Sequence, residues 1–373
     1  MVAAFRQNPV APEYDPGPTL PEPSEAVRAP AATLLDSVPA KLKIAVVTDA
    51  WLPQTNGVVR TLCSLRDELA AMGHQIVMVT PQDFVTIPCP SYAEIRLALT
   101  TPRGVGKMID QIAPDAIHIV TEGPLGLAAR SHCRSRGLIF TTSFHTKFPD
   151  YIEARWGVPA NWTYAALRWF HSASAATMVA TESVRRELQS HGFENLRSWT
   201  RGVDLQHFHP APKPATDWPR PIFLSVGRVA VEKNLSAFLD LDLPGTKVVV
   251  GDGPQRAELE RRYPSARFVG RHEGEALSAL YSLADVFVFP SRTDTFGLVL
   301  LEALASGVPI AAFPVSGPID LVGSSGVGAL SEDLKAAALA ALDIDPEKCR
   351  LRAAEFTWQN SARQFLHNLR LTR

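Results

Sequence analysis

The chain has 373 residues, 46% of them apolar and 20% charged, with a formal net charge of −1. That length suits two domains better than one core, and the near-zero charge argues against nucleic acid as the main partner, which needs a concentrated basic face. The four cysteines, Cys63, Cys89, Cys133 and Cys349, lack C-x-x-C spacing. They read as thiols of a reducing cytoplasm and not as a disulfide or zinc framework, and no second ligand cluster accompanies the His132–Cys133 pair.

In chain order, residues 1–40 hold eight prolines and no periodic apolar face, which predicts a disordered tail. No basic segment followed by an apolar one opens the chain, and no run approaches the ~18 apolar residues of a spanning helix. A cytoplasmic protein is expected, with contact to the inner face of a membrane left open. Order begins at Lys41. Leu42–Thr48 is a continuous apolar run, the pattern of a buried parallel strand. Val58, Leu62, Leu65 and Leu69 then recur at helical spacing up to Gly73. Gln75–Thr80, Asp115–Val120, Leu138–Ser143 and Ala176–Ala180 read as further strands. Helices are predicted around 103–112, 124–136, 161–173 and 182–191. This alternation implies a doubly wound parallel sheet over residues 41–205.

A proline-rich passage marks a linker at 206–220. A second α/β series fills 221–356, with strands at Ile222–Val226, Lys247–Val250, Arg267–Val269, Asp285–Phe289 and Pro309–Phe313. Thr357 is the expected N-cap of a last helix near Trp358–Leu371. Two Rossmann-like domains on a hinge leave a cleft between the C-terminal edges of their sheets, where ligands bind.

Several constellations fall at that cleft. In DTFGLVLLEALASGVPI, a helix is expected to start near Phe296. The amides of Phe296, Gly297 and Leu298 in its first turn would favour an anion such as phosphate. Asp294 precedes the helix, and Glu302 lies in it among Leu300, Leu301 and Leu304, where a lone carboxylate is usually paired or faces a ligand. The plain alternative is an exposed glutamate and a charge favoured by the helix dipole. In VGRVAVEKN, Arg228 and Lys233 follow a strand and suit a diphosphate leaving group, or are two solvated loop charges. Gly251 in GDGP and Gly57 after the first strand allow a close backbone approach to a ligand, or mark tight turns. His145 closes the strand in SFHT and points at the cleft. From Tyr151 to Phe170 the chain concentrates Tyr151, Trp156, Trp162, Tyr164, Trp169 and Phe170 with Arg155 and Arg168, which suits a membrane interface, an acceptor surface or ordinary core.

Taken in order, the Gly57 loop, SFHT, TRGVD at Thr200–Asp204, VGRVAVEKN, GDGP and DTFGLVLLEALASGVPI resemble a retaining glycosyltransferase of family 4 with the GT-B fold. FHTKFPDY, WTRGVD and SRTDTFG are similar to a branch holding α-mannosyltransferases and the glucosyl-, glucuronosyl- and sulfoquinovosyl-diacylglycerol synthases. The resemblance implies that Glu302 bonds the ribose of a UDP-sugar or GDP-mannose donor, and that Arg228 and Lys233 hold its diphosphate. It further implies that Asp294, Phe296, Gly297 and Leu298 meet the donor sugar and phosphate. His145 would lie beside the reacting carbon, with Gly57 and Gly251 near the diphosphate. The family commonly has Glu where Asp294 stands. The implied reaction transfers a hexose with retention, by same-face attack, onto a lipid such as diacylglycerol or onto a soluble or polysaccharide acceptor, and requires no metal. The last helix is expected to cross back to the first domain. An NAD-dependent oxidoreductase is disfavoured by the lack of G-x-G-x-x-G, while a nucleotide-sugar epimerase or a non-catalytic binder would share the nucleotide site.

Overall fold

The computed structural model describes residues 41–54, 56–89, 92–147 and 159–372. The 1–40 tail and Phe148–Tyr151, Arg155 and Trp156 lie outside the described residues.

The first sheet has six strands. They are β1 (Lys43–Val47), β2 (Gln75–Val79), β5 (Ala116–Ile119), β6 (Thr141–Phe144), β7 (Ala176–Val179) and β8 (Leu196–Ser198), arranged β2-β1-β5-β6-β7-β8 and parallel throughout. Between β2 and β5 an antiparallel hairpin, β3 (Thr86–Cys89) with β4 (Tyr92–Ala98), stands apart from it. The connecting helices are α1 (Gly57–Ala71), α2 (Pro102–Ile112), α3 (Pro124–Arg136), α4 (Ala160–His171) and α5 (Glu182–Ser190). β1, β5, β6 and β7 are apolar along nearly their whole length because helices cover both faces. The predicted strand Leu138–Ser143 starts later, at Thr141. The amides of Leu138 and Ile139 go instead to the carbonyls of Cys133 and Thr372.

The second sheet repeats the plan with β9 (Ile222–Val226), β10 (Thr246–Val250), β11 (Arg267–Gly270), β12 (Val286–Phe289), β13 (Ile310–Ala312) and β14 (Gly328–Leu330). Its order is β11-β10-β9-β12-β13-β14. Its helices are α6 (Leu235–Leu239), α7 (Arg256–Arg262), α8 (Gly274–Leu283), α9 (Leu298–Ala305), α10 (Pro318–Leu321), α11 (Leu334–Ala340) and α12 (Pro346–Ala353). Aromatic and aliphatic side chains of β9 and β12 fill cores on both faces: Leu224 and Phe287 on one, Phe223 and Val288 on the other.

The last helix, α13 (Trp358–Asn368), is capped by Thr357, whose hydroxyl accepts from the amide of Asn360 at 3.1 Å. It packs on the first sheet. The buried Trp199 indole donates to Ser361 Oγ (3.0 Å), the Thr200 amide to Gln364 Oε1 (2.9 Å), and Asn368 Nδ2 to the Ser198 carbonyl (2.8 Å). Leu371 then forms an antiparallel bridge with Ala116. Where the chain passes between the sheets, Val203 bridges Thr357 in parallel. Gly202 lies so close to this segment that a Cβ there would fall 2.3 Å from the Trp358 nitrogen.

Candidate active site

The two sheets present their C-terminal edges to each other, and side chains from both meet between them. From the second sheet, Arg228 and Lys233 follow β9 and line a small hollow with Ser225, Gly227, Pro290 and Ser291. Lys233 Nζ donates to both carboxylate oxygens of Asp294, at 2.6 and 2.8 Å, so a cation and an anion 61 residues apart form one unit. A larger surface hollow beside β11, lined by Trp218, Glu260 and Phe268, includes none of the predicted site residues.

The helix after Asp294 begins later than its sequence suggests. Gly297 has φ +82° and serves as N-cap, so the first turn of α9 opens at Leu298. Phe296, expected in that first turn, instead extends into the core and meets Phe356 edge-on at 6.4 Å. Of the three predicted first-turn amides, only that of Leu298 lies in the helix. A side chain at Gly297 would be strained by the left-handed backbone and would crowd Leu300 Cδ1 at 2.9 Å.

Glu302 is 3% exposed and fully engaged. Tyr281 Oη donates to its Oε2 at 2.8 Å, and Arg60 of α1 reaches across from the first sheet to its Oε1 at 2.6 Å. Burial, and next the Glu302 charge, hold the Tyr281 hydroxyl well above the ordinary phenol range, so it stays a donor. Gly57 opens α1, and a Cβ there would lie 3.8 Å from Leu298 Cδ1, which places the starts of α1 and α9 face to face. Gly251 has φ +139°, and a Cβ would fall 1.8 Å from the Gly227 carbonyl oxygen. Glycine there is accounted for by the packing of β10 against the turn after β9.

His145 follows β6, with its ring turned into the first domain. Nε2 is 2.8 Å from Ser143 Oγ, and Nδ1 is 3.3 Å from Nη2 of the buried Arg201. Burial, and then the Arg201 guanidinium, hold its imidazole well below the ordinary histidine range. The part that meets the second domain is the backbone: Thr295 Oγ1 donates to the His145 carbonyl at 2.7 Å. Other contacts across the cleft are Ser183 Oγ to Asp320 Oδ2 (2.5 Å), Lys147 Nζ to Ser316 Oγ (3.1 Å) and Thr181 Oγ1 to the Thr295 carbonyl (3.3 Å). Arg60, Tyr281, Thr295 and Arg201 were not picked out by sequence reasoning. Arg60 lies one turn past Gly57 and Thr295 beside Asp294, so both stand next to motifs. Nothing in the sequence pairs Tyr281 with Glu302.

The aromatic segment divides. Tyr164 and Phe170 are core, with Tyr164 Oη donating to Glu187 at 2.7 Å. Trp162 (74% exposed) and Trp169 (55%), seven residues apart on α4, share its outer face. Trp169 is backed by the Arg130 guanidinium at 3.8 Å. Among the described residues no helix is long and apolar enough to cross a membrane.

Two family models match the chain, Glycosyltransferase Family 4 over residues 55–207 and Glycosyl transferases group 1 over 220–344. A GDP-mannose-dependent alpha-mannosyltransferase of Mycolicibacterium smegmatis is 31% identical over 344 residues, covering 84% of this chain and 88% of its own. An alpha-monoglucosyldiacylglycerol synthase of Streptococcus pneumoniae is 26% identical over 87% of this chain and 83% of its own. Among solved structures, sucrose-phosphate synthase from Thermosynechococcus elongatus superposes with a TM-score of 0.68 at 20% identity, over 87% of this chain and 97% of its own. With two parallel sheets facing across a cleft and these relatives, the chain belongs to glycosyltransferase family 4 and has the GT-B fold.

Proposed function

We propose that the protein transfers a hexose, with retention, from a nucleotide diphosphate sugar to a hydroxyl of a membrane lipid at the inner face of the membrane. The observation that carries this reading is the convergence of Arg228, Lys233, Asp294 and Glu302 from one domain with Gly57, Arg60 and His145 from the other. Arg228 and Lys233 answer the charge that grows on the departing diphosphate, Glu302 takes the ribose hydroxyls, and Asp294 takes the donor sugar. The glycosidic bond to phosphate breaks as the acceptor oxygen attacks the same face, and the acceptor proton passes to the leaving phosphate oxygen. The exposed Trp162 and Trp169 support a lipid acceptor, since amphipathic aromatics favour the headgroup layer. The printed activities of the mannosyl- and glucosyldiacylglycerol-forming relatives agree with a hexose donor.

The test incubates the full chain with GDP-mannose, UDP-glucose or UDP-glucuronic acid and a membrane lipid extract, and identifies products by mass. A new glycolipid with released nucleotide diphosphate is expected. Transfer only to added glycans would replace the lipid with a soluble acceptor. Return of an isomerised nucleotide sugar would replace transfer with epimerisation, and binding without any turnover would leave a non-catalytic binder.

A further inference from the structure

His145 is surrounded by groups whose donor and acceptor roles are determined. Arg201 can only donate, so the Nδ1 it faces at 3.3 Å carries a lone pair. A neutral ring must then hold its proton on Nε2 and donate it to Ser143 Oγ at 2.8 Å. Ser143 in turn lies 3.2 Å from His118 Nε2 and 3.4 Å from the Val120 carbonyl. His118 Nδ1 is 2.9 Å from Thr141 Oγ1, and that hydroxyl reaches the Ile117 carbonyl at 3.4 Å. If Thr141 donates to Ile117, its oxygen accepts from His118 Nδ1–H, and His118 Nε2 is free to accept from Ser143. Every proton then points the same way, from His145 to Ser143 to His118 and from there to Thr141 and the backbone. Donation by Ser143 to Val120 instead would reverse His118 but leave the proton of His145 on Nε2.

We propose that Ser143, His118 and Arg201 are positioning residues that lock His145 into the Nε2–H tautomer and keep both of its ring nitrogens out of the proton transfers of the reaction. The position of His145 at the donor sugar rests on the function proposed above; the lock itself rests on the geometry alone. The chain is buried: His118 and Ser143 are fully inaccessible, and Arg201 nearly so. The groups that face the His145 ring are Ser143 on its own strand, His118 on β5, Trp199 edge-on at 5.8 Å with Arg201 after β8, and, farther off, His171 on α4, whose Nε2 meets Glu122. The charge in contact with the ring, that of Arg201, opposes a second proton. Arg201 is held by the Trp199 carbonyl at 2.6 Å and stacks 4.2 Å over the Trp199 ring, so it cannot swing away without losing both. What His145 offers the cleft is its carbonyl and the carbon edge of its ring. The acceptor proton must therefore leave by another route, which agrees with transfer to the departing phosphate.

The direct test is a long-range proton–nitrogen spectrum of the full chain labelled with ¹⁵N-histidine, with H145Q used to assign the His145 signals. A protonated Nε2 and a bare Nδ1, unchanged between about pH 8 and about pH 5.5, are expected where a free histidine would titrate. An Nδ1–H form, or titration in that window, overturns the proposal. A kinetic arm uses S143A: kcat should fall about ten-fold or more with the donor KM within about two-fold, as for a group that orients another without binding substrate, and a second tautomer should appear in the spectrum. An unchanged kcat overturns the functional half. The wild-type spectrum decides the tautomer even where S143A does not fold and whether or not a donor has been found, so failure of the lock is distinct from failure of the glycosyl-transfer reading.

Discussion

Replacing Tyr281 by Phe removes one oxygen and leaves the ring where it packs, edge-on to Phe208 at 5.6 Å and beside Phe287 at 5.8 Å. The lost contact is a 2.8 Å bond to the Glu302 carboxylate. Glu302 is too buried to recruit water in its place, and Arg60 already occupies the other oxygen. A hydrogen bond to a charged group contributes about 1.5–3 kcal/mol, and with no replacement donor Tyr281→Phe should cost that amount. A matched control exists in Tyr263, whose hydroxyl donates to Asp240 at 2.6 Å. Asp240 is 56% exposed, so water replaces the hydroxyl and Tyr263→Phe should cost under about 0.5 kcal/mol. Urea unfolding of both variants, followed by tryptophan fluorescence, measures the difference. Equal costs would refute the argument that burial of the carboxylate sets the magnitude.

Lys233→Ala and Arg228→Ala should each lower kcat by about 100-fold or more with unchanged far-UV circular dichroism, and full activity in both would remove them from the diphosphate site. Stability should fall in acid. Burial first, with Arg201 and His171 nearby, pushes His118 down to about 3, and His145 is also held low. Unfolding lets both take up protons, so stability present above the ordinary histidine value near 6.5 is lost as pH falls below it, by up to ~1.4 kcal/mol per pH unit for each group. A urea midpoint that is flat from pH 7 to pH 5 would contradict this. Burial pushes the Cys133 and Cys349 thiols up to about 12, so only Cys63 and Cys89, which are partly accessible, should react with a thiol reagent in the native protein. Trp162→Ala with Trp169→Ala should abolish flotation with anionic liposomes; retained flotation would take the membrane contact away from α4.

The parallel strands were legible because helices cover both sheet faces, which makes runs such as Val286–Phe289 continuously apolar. The strands left unread are short or lie at edges. Leu196–Ser198 and Gly328–Leu330 are three residues long, and Thr86–Cys89 carries a proline in a hairpin outside the main sheets. Phe296 looked like the first turn of a helix because an aromatic before an apolar run fits that pattern; the positive φ of Gly297 decides otherwise, and a glycine does not announce its φ. Glu302 stood out by its apolar neighbours. Its partners lie 21 and 242 residues away on other elements, and only the assembled fold brings a tyrosine and an arginine to it. The same holds for Lys233 and Asp294, whose contact closes a loop of 61 residues.

The return of α13 to the first sheet bears on the order in which the protein can be completed during synthesis. Residues 222–353 hold every strand and helix of the second sheet in one contiguous stretch, so that half has all its parts as soon as it leaves the ribosome. The first half emerges earlier but lacks Ser361, Gln364 and Asn368, without which Trp199, Thr200 and Ser198 have no partners for these bonds. The half made first is therefore the half finished last, and a nascent chain stalled anywhere before its final sixteen residues exposes the indole edge of Trp199 that the complete chain buries.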